Sequence, residues 1–174
     1  LIRREIDHAQ QGRGGSIKAK MNSLVDPGII ALLYEASQAG VTIQLIIRGM
    51  CSLYPGLEGI SDNIKVVSII GRFLEHSRIF WFNNAGDPEV FIGSADLMPR
   101  NLDRRVEAVT PIEEPELRAQ LEHLLERYLS DNRGAWDMQP DGSFIQRYPE
   151  EEERNSQLQL IDSWKGSALV QSNH

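Results

Sequence analysis

Apolar and polar positions change period several times along the 174-residue chain. Residues 2–11 read as a short helix closed by the glycine-rich turn Gly12-Arg13-Gly14-Gly15. Residues 16–22 alternate, Ser-Ile-Lys-Ala-Lys-Met-Asn, as a half-buried strand does. Asp26 followed by Pro27 is a helix start, and Ile29, Ile30, Leu33, Tyr34 and Ala36 keep helical spacing up to the stop at Gly40. Val41 to Ile47 is rich in β-branched residues and apolar on both faces, which predicts a buried central strand. Residues 64–70, 77–82, 89–93 and 105–111 predict four more strands, with Asn83 to Asp87 as a turn. Pro115 opens an amphipathic helix to Leu129 whose apolar stripe is Leu117, Leu121, Leu124, Leu125 and Tyr128. After Asn132 the turn residues Gly134, Pro140, Gly142 and Pro149 make the chain loop-like, and 156–164 predict a last short helix.

A strand, a helix and a strand in this order make a right-handed parallel crossover the default. The expected class is therefore α/β: a mixed, largely parallel β-sheet flanked by helices. The length suits one domain, with residues 1–130 as its body and 131–174 as a partly loop-like extension packed on it. Arg48-Gly49 falls where the second strand should end. Open α/β sheets bind ligands beyond the carboxyl ends of their strands, so an arginine there is a site candidate.

Charge sharpens this picture. The net charge of −7 comes entirely from residues 111–174; residues 1–110 carry 12 Lys and Arg against 12 Asp and Glu. An acidic chain is a poor general ligand for a nucleic-acid backbone, and none is expected as a partner. A balanced half with clustered arginines can still hold a polyanion locally, and Arg48, Arg72, Arg78, Arg100, Arg104 and Arg105 are the candidates. Adjacent carboxylates diverge and repel, so Glu150 to Glu153 reads as a solvated run. The single cysteine, Cys51, follows an apolar strand and reads as structural in a reducing compartment. No stretch approaches the ~20 apolar residues of a membrane span. The start Leu1-Ile2-Arg3-Arg4-Glu5 has neither Met nor a signal-peptide pattern and looks like a cut from something longer. There is no Walker-type phosphate loop.

The chemistry concentrates between Gly71 and Asp96. On a strand, His76 and Arg78 are two residues apart and face the same side. Arginine grips phosphate oxygens as a planar fork, and histidine can attack phosphorus or carry a proton near neutral pH. Gly93-Ser94 on the next strand would add a hydroxyl, with Asp96 close behind. Glu75 and Glu107 are candidates for orienting arginines. His8, His123 and His174 stand in no motif.

His76, Arg78 and Asn83, followed by Gly93-Ser94, resemble the His-x-Lys-x4-Asp…Gly-Ser motif of the phospholipase D superfamily, with Arg for Lys and Asn for Asp. A denser resemblance runs through four blocks in order: Lys20 to Pro27, Ile47 to Cys51, Gly71 to Ile79 and Ser94 to Glu107. Together they resemble the C-terminal, phospholipase D-like domain of the polyphosphate kinase family. That resemblance implies a reversible transfer of the terminal phosphate of ATP to inorganic polyphosphate through a phosphohistidine. His76 matches the family's second active-site histidine and Arg48 an arginine that binds nucleotide phosphate. Arg78 and Arg105 are expected to help bind phosphate, with Arg72, Ser94, Asp96 and Glu107 as weaker candidates. The phosphorylated histidine and the Mg²⁺ ligands are expected in a preceding domain, so this chain alone should be inactive. Expected partners are ATP or ADP, polyphosphate and further copies of the chain in a homo-oligomer, a tetramer by family. The expected setting is cytoplasmic, with peripheral membrane association open. A phospholipase D-like phosphodiesterase, or a non-catalytic binding or oligomerisation lobe, are the alternatives.

Overall fold

The computed structural model describes residues 1–150 and 152–171, and side chains through Lys165. Glu151, within the acidic run, and His174 lie outside the described residues. The chain runs α1 (Ile2–Gln10), β1 (Ser16–Met21), α2 (Pro27–Gln38), β2 (Thr42–Ile47), β3 (Ile64–Ile69), β4 (Ile79–Phe82), β5 (Glu89–Gly93), α3 (Pro99–Arg104), β6 (Val109–Ile112), α4 (Pro115–Ser130), β7 (Ala135–Met138), β8 (Phe144–Gln146) and α5 (Ser156–Gln171). The strands form one sheet in the order β6-β5-β4-β1-β2-β3-β7-β8.

The sheet is mixed, but the expectation that it is largely parallel needs correction. Only β1–β2 and β2–β3 are parallel; the other five pairings are antiparallel. A parallel pair needs a long crossover, whereas a short link returns the chain antiparallel. Residues 22–41, which include α2, and 48–63 are long enough for crossovers. The links 83–88 and 139–143 are hairpin-sized and give antiparallel neighbours.

Alternation along the central strands builds two cores. Ile17, Ala19 and Met21 of β1 and Ile43, Leu45 and Ile47 of β2 pack with Ile6 of α1 and Ile30, Leu33 and Ala36 of α2. Ile46, Ile79, Trp81 and Val90 pack on the opposite face with Leu125 and Tyr128 of α4. A fully buried Leu or Ile contributes roughly 1.5–3 kcal/mol, so these two layers dominate the stability. The start of α2 is as the sequence predicts: the Asp26 side chain accepts from the Ile29 N–H at 2.8 Å, and Pro27 opens the helix.

Several elements depart from the sequence reading: β6 begins at Val109 rather than 105, and α5 runs to Gln171 rather than 164. Residues 135–146 form the β7–β8 hairpin rather than loop. The short helix α3 occupies part of the link between β5 and β6. β4 starts at Ile79, so His76 and Arg78 lie in an irregular segment before the strand rather than on it. Asp131 at the end of α4 ties this region together. Its carboxylate accepts from the N–H groups of Arg133, Gly134, Ala135 and Ser156 at 2.6–3.1 Å and from the Ser156 hydroxyl at 2.7 Å. This places the start of α5 beside the segment 71–78. No helix among the described residues is long and apolar enough to cross a membrane.

Candidate active site

The parallel strands β1 and β2 end at the same edge, and β4 enters the sheet there because it runs antiparallel to β1, with Lys20 opposite Ile79. β5 leaves the sheet at that edge and β6 returns from it. Asn22, Arg48, the segment 75–78, the segment 94–96 and Glu107 are therefore gathered by topology.

Arg48 follows β2 and is fixed by its Nε, which donates to Asn22 Oδ1 at 2.9 Å and to the Glu75 carbonyl oxygen at 2.6 Å. Its Nη2 lies 3.2 Å from Nδ1 of His76, which is exposed. A guanidinium only donates, so Nδ1 is the acceptor and the ring proton of the neutral imidazole sits on Nε2. Gly49 keeps this corner tight: a Cβ there would meet the Asn22 carbonyl oxygen at 2.7 Å.

Arg78 makes a bidentate pair with Asp96, Nε to Oδ1 at 3.3 Å and Nη2 to Oδ2 at 3.1 Å, and its Nη1 donates to the His76 carbonyl oxygen at 2.6 Å. Asp96 also accepts from the backbone N–H groups of Asn22 (2.7 Å) and Ser23 (3.3 Å) and from Asn22 Nδ2 (3.3 Å). Burial alone would push the Asp96 carboxyl up, but Arg78 and the two Asn22 donors outweigh it and hold it below the usual carboxylate range. Arg48, Asn22, Asp96 and Arg78 thus form one continuous polar chain beneath His76.

Ser94 and Glu107 meet each other at one side. The Ser94 hydroxyl donates to Glu107 Oε2 and accepts from the Ala108 N–H, and Asn101 Nδ2 donates to Glu107 Oε1 at 2.6 Å. Hydrogen bonds from Ser94 and Asn101 lower the Glu107 carboxyl, and the nearby Arg105 adds to this. Arg105 is exposed, and Arg72 is exposed beside the Phe73 ring, 5.6 Å from its centroid. Asn83, part of the phospholipase D-like spacing, lies past the far end of β4, where its N–H donates to the Ser16 carbonyl.

Lys20, Asn22 and Gln157 were not singled out as site residues from the sequence. Lys20 is 5% exposed, with Nζ 3.2 Å from Glu75 Oε2 and donating to Ser77 Oγ at 2.9 Å. Gln157 of α5 takes the Phe73 N–H on Oε1 and donates from Nε2 to the Phe73 carbonyl and to Glu75 Oε1. A signal existed for the first two: Lys18, Lys20 and Asn22 put polar groups on every second position of a strand that is otherwise apolar. Gln157 carries none, because it lies some eighty positions from its partners.

The sheet with its two helical layers defines the phospholipase D-like class of α/β domain. Nuc from Salmonella typhimurium, a phospholipase D family member, superposes with a TM-score of 0.55 over 78% of this chain and 88% of its own, at 17% identity. The polyphosphate kinase of Porphyromonas gingivalis superposes with a TM-score of 0.92 at 40% identity, covering 97% of this chain and 26% of its own. Residues 1–159 match the family model "Polyphosphate kinase C-terminal domain 2". A polyphosphate kinase of Parasynechococcus marenigrum is 75% identical over 166 residues, 94% of this chain and 23% of that protein. The chain belongs to the polyphosphate kinase family, and it spans about a quarter of the length of the relatives it matches.

Proposed function

We propose that this chain is one half of a phosphoryl-transfer site in a longer polyphosphate kinase that reversibly moves the terminal phosphate of ATP onto inorganic polyphosphate. The observation that carries the reading is the meeting of Arg48 and His76 at the carboxyl edge of the parallel strands, 3.2 Å apart and open to solvent.

Phosphoryl transfer asks the protein mainly for positioning and for neutralisation of charge on the phosphate oxygens. Arg48 is anchored through Nε, which leaves its terminal nitrogens to grip an oxygen pair without first being ordered. His76 presents Nε2–H as a donor to the same phosphoryl group while its Nδ1 accepts from Arg48. The phosphohistidine forms on a histidine outside this chain, so His76 steadies the moving group rather than carrying it. Arg78 has its fork occupied by Asp96, so it holds the segment in place rather than gripping phosphate. Arg105 and Arg72, both exposed on segments that cross this edge, extend the positive field for a polyanionic chain.

Mg²⁺ enters with the nucleotide in this reading. Among the described residues no group of His, Cys, Asp and Glu is placed to hold a metal ion. Asp96 and Glu107 are engaged by Arg78, Asn22, Ser94 and Asn101. In this reading the metal's ligands are the phosphates and groups of the rest of the longer protein.

The test is His76→Ala in the full-length enzyme. ATP-to-polyphosphate transfer should fall to a small residual rate while the thermal unfolding midpoint stays at the wild-type value. Near-normal turnover in that variant would overturn the reading.

A further inference from the structure

The segment 71–77 belongs to no strand, and its link to the sheet is the Arg78 carbonyl, which accepts from the Gly93 N–H at 3.2 Å; yet it carries the ring of the proposed site. Irregular backbone of this kind opens readily unless side chains tie it down. The ties converge on the two neighbours of His76. The Lys20 ammonium lies 3.2 Å from the carboxylate of Glu75 and donates to the hydroxyl of Ser77 at 2.9 Å. It rises from β1 at the position opposite Ile79, directly under the segment. The Tyr128 ring lies 4.9 Å from the ammonium, and Gln157 Nε2 donates to the other oxygen of Glu75 at 2.8 Å.

We infer that Lys20 is a positioning residue for the phosphoryl-transfer reaction: one buried ammonium grips the residues on both sides of His76 and aims its imidazole at Arg48. This rests on the reading of His76 given above.

A buried Lys–Glu pair adds little net stability compared with apolar side chains of the same size, because desolvation offsets the attraction. What it does supply is a fixed geometry. Lys20 is also an unfavourable place for a charge: burial pulls its ammonium below the usual lysine range, Glu75 restores part of that, and Arg48 and Arg78 lower it again. The cation is therefore held by the two groups it grips. Finally, the grip is coupled to the site itself, because Arg48 Nε donates to the carbonyl of the same Glu75. Releasing the Glu75 side chain therefore moves the ring against a guanidinium that Asn22 still holds.

The experiment uses the full-length enzyme. Lys20→Met should lower kcat for ATP-to-polyphosphate transfer by about 100-fold, the cost of a displacement near 1 Å in a positioned group, with KM for ATP within about two-fold, since Arg48 keeps its Asn22 anchor. Lys20→Arg should recover part of the loss. In a His76→Ala background Lys20→Met should change residual activity no further, because there is no ring left to aim. A general structural role would instead lower activity again by the same factor. Ser77→Ala removes one grip without stranding a charge, and it should give the same kcat-only pattern at smaller size. That variant decides the matter if Lys20→Met does not fold. Wild-type kcat in Lys20→Met or Ser77→Ala, or additive losses with His76→Ala, would overturn the inference while leaving the reading of His76 intact. Near-normal turnover in His76→Ala alone would overturn both.

Discussion

Nη2 of Arg48 lies 3.2 Å from Nδ1 of His76, and this contact has a direction. Arginine has no acceptor, so the imidazole must offer its lone pair there and keep its proton on Nε2. The contact therefore selects the tautomer as well as the position of the ring.

Arg48→Lys tests whether the fork matters beyond its charge. A lysine ammonium can replace the positive charge but cannot donate to Asn22, Glu75 and His76 from one rigid plane. The full-length variant should keep the wild-type unfolding midpoint within a few degrees. Its kcat/KM for ATP should fall by roughly 100-fold, the scale of losing one preorganised donor. Steady-state kinetics at saturating polyphosphate is the measurement.

Asp96 joins the two arginines through Asn22, and its depressed acidity makes a pH prediction. A carboxyl whose folded pKa lies below its unfolded value contributes stability fully above the unfolded value, near 3.9. That contribution is lost as pH falls through the lower folded value. Asp96→Asn should therefore be less stable than wild type at neutral pH by about 2 kcal/mol, from the loss of charge-assisted hydrogen bonds. The difference should begin to shrink below about pH 4, where the unfolded-state carboxyl takes up its proton, and should vanish only below the lower folded-state value. Urea unfolding of both proteins between neutral and acidic pH reads this directly.

Gly49→Ala probes the close approach of β2's end to β1. The new methyl would sit 2.7 Å from the Asn22 backbone oxygen and 2.9 Å from Ser23 Oγ. The first is backbone and cannot swing away, and it already accepts from the Gly49 N–H at 2.8 Å. Overpacking of this kind costs about 1–3 kcal/mol, which thermal or urea unfolding will register. Because Asn22 anchors Arg48, activity measured where the variant remains folded should also fall.

Much of the fold was legible because local chemistry and tertiary context agree. The Asp26-Pro27 start of α2, the alternation of β1 and the apolar run of β2 all appear as read, within a residue or two. Direction of pairing was not legible. The pattern of β2 says that both faces are buried, but not that its neighbours β1 and β3 are its only parallel partners or that the outer strands pair antiparallel. The β7–β8 hairpin was hidden because Ala135 to Met138 is short and lies between Gly134 and Pro140, whose turn chemistry dominated the reading. α3 is six residues long and begins with Pro99, too short for a period to register.

The site was half legible for the same reason. Arginine at a strand's carboxyl end and histidine two residues from arginine are patterns of spacing. Arg78 with Asp96, Arg48 with Asn22 and Lys20 with Glu75 are contacts made by topology, between residues 18 to 55 positions apart. Nothing in their own surroundings announces the partner. His76 and Arg78 belong to one polar cluster, but through opposite partners: the ring meets Arg48 and the guanidinium turns to Asp96. Shared strand facing is not what unites them, since β4 has not yet begun.

The central claim is that the guanidinium at 48 and the imidazole at 76 hold one phosphoryl group between them. It is tested most directly by determining the structure of the full-length enzyme with a non-hydrolysable ATP analogue. The account predicts oxygens of the terminal phosphate within about 3 Å of both an Arg48 terminal nitrogen and His76 Nε2. Terminal phosphates bound elsewhere, with the Arg48–His76 contact still facing open solvent, would contradict it.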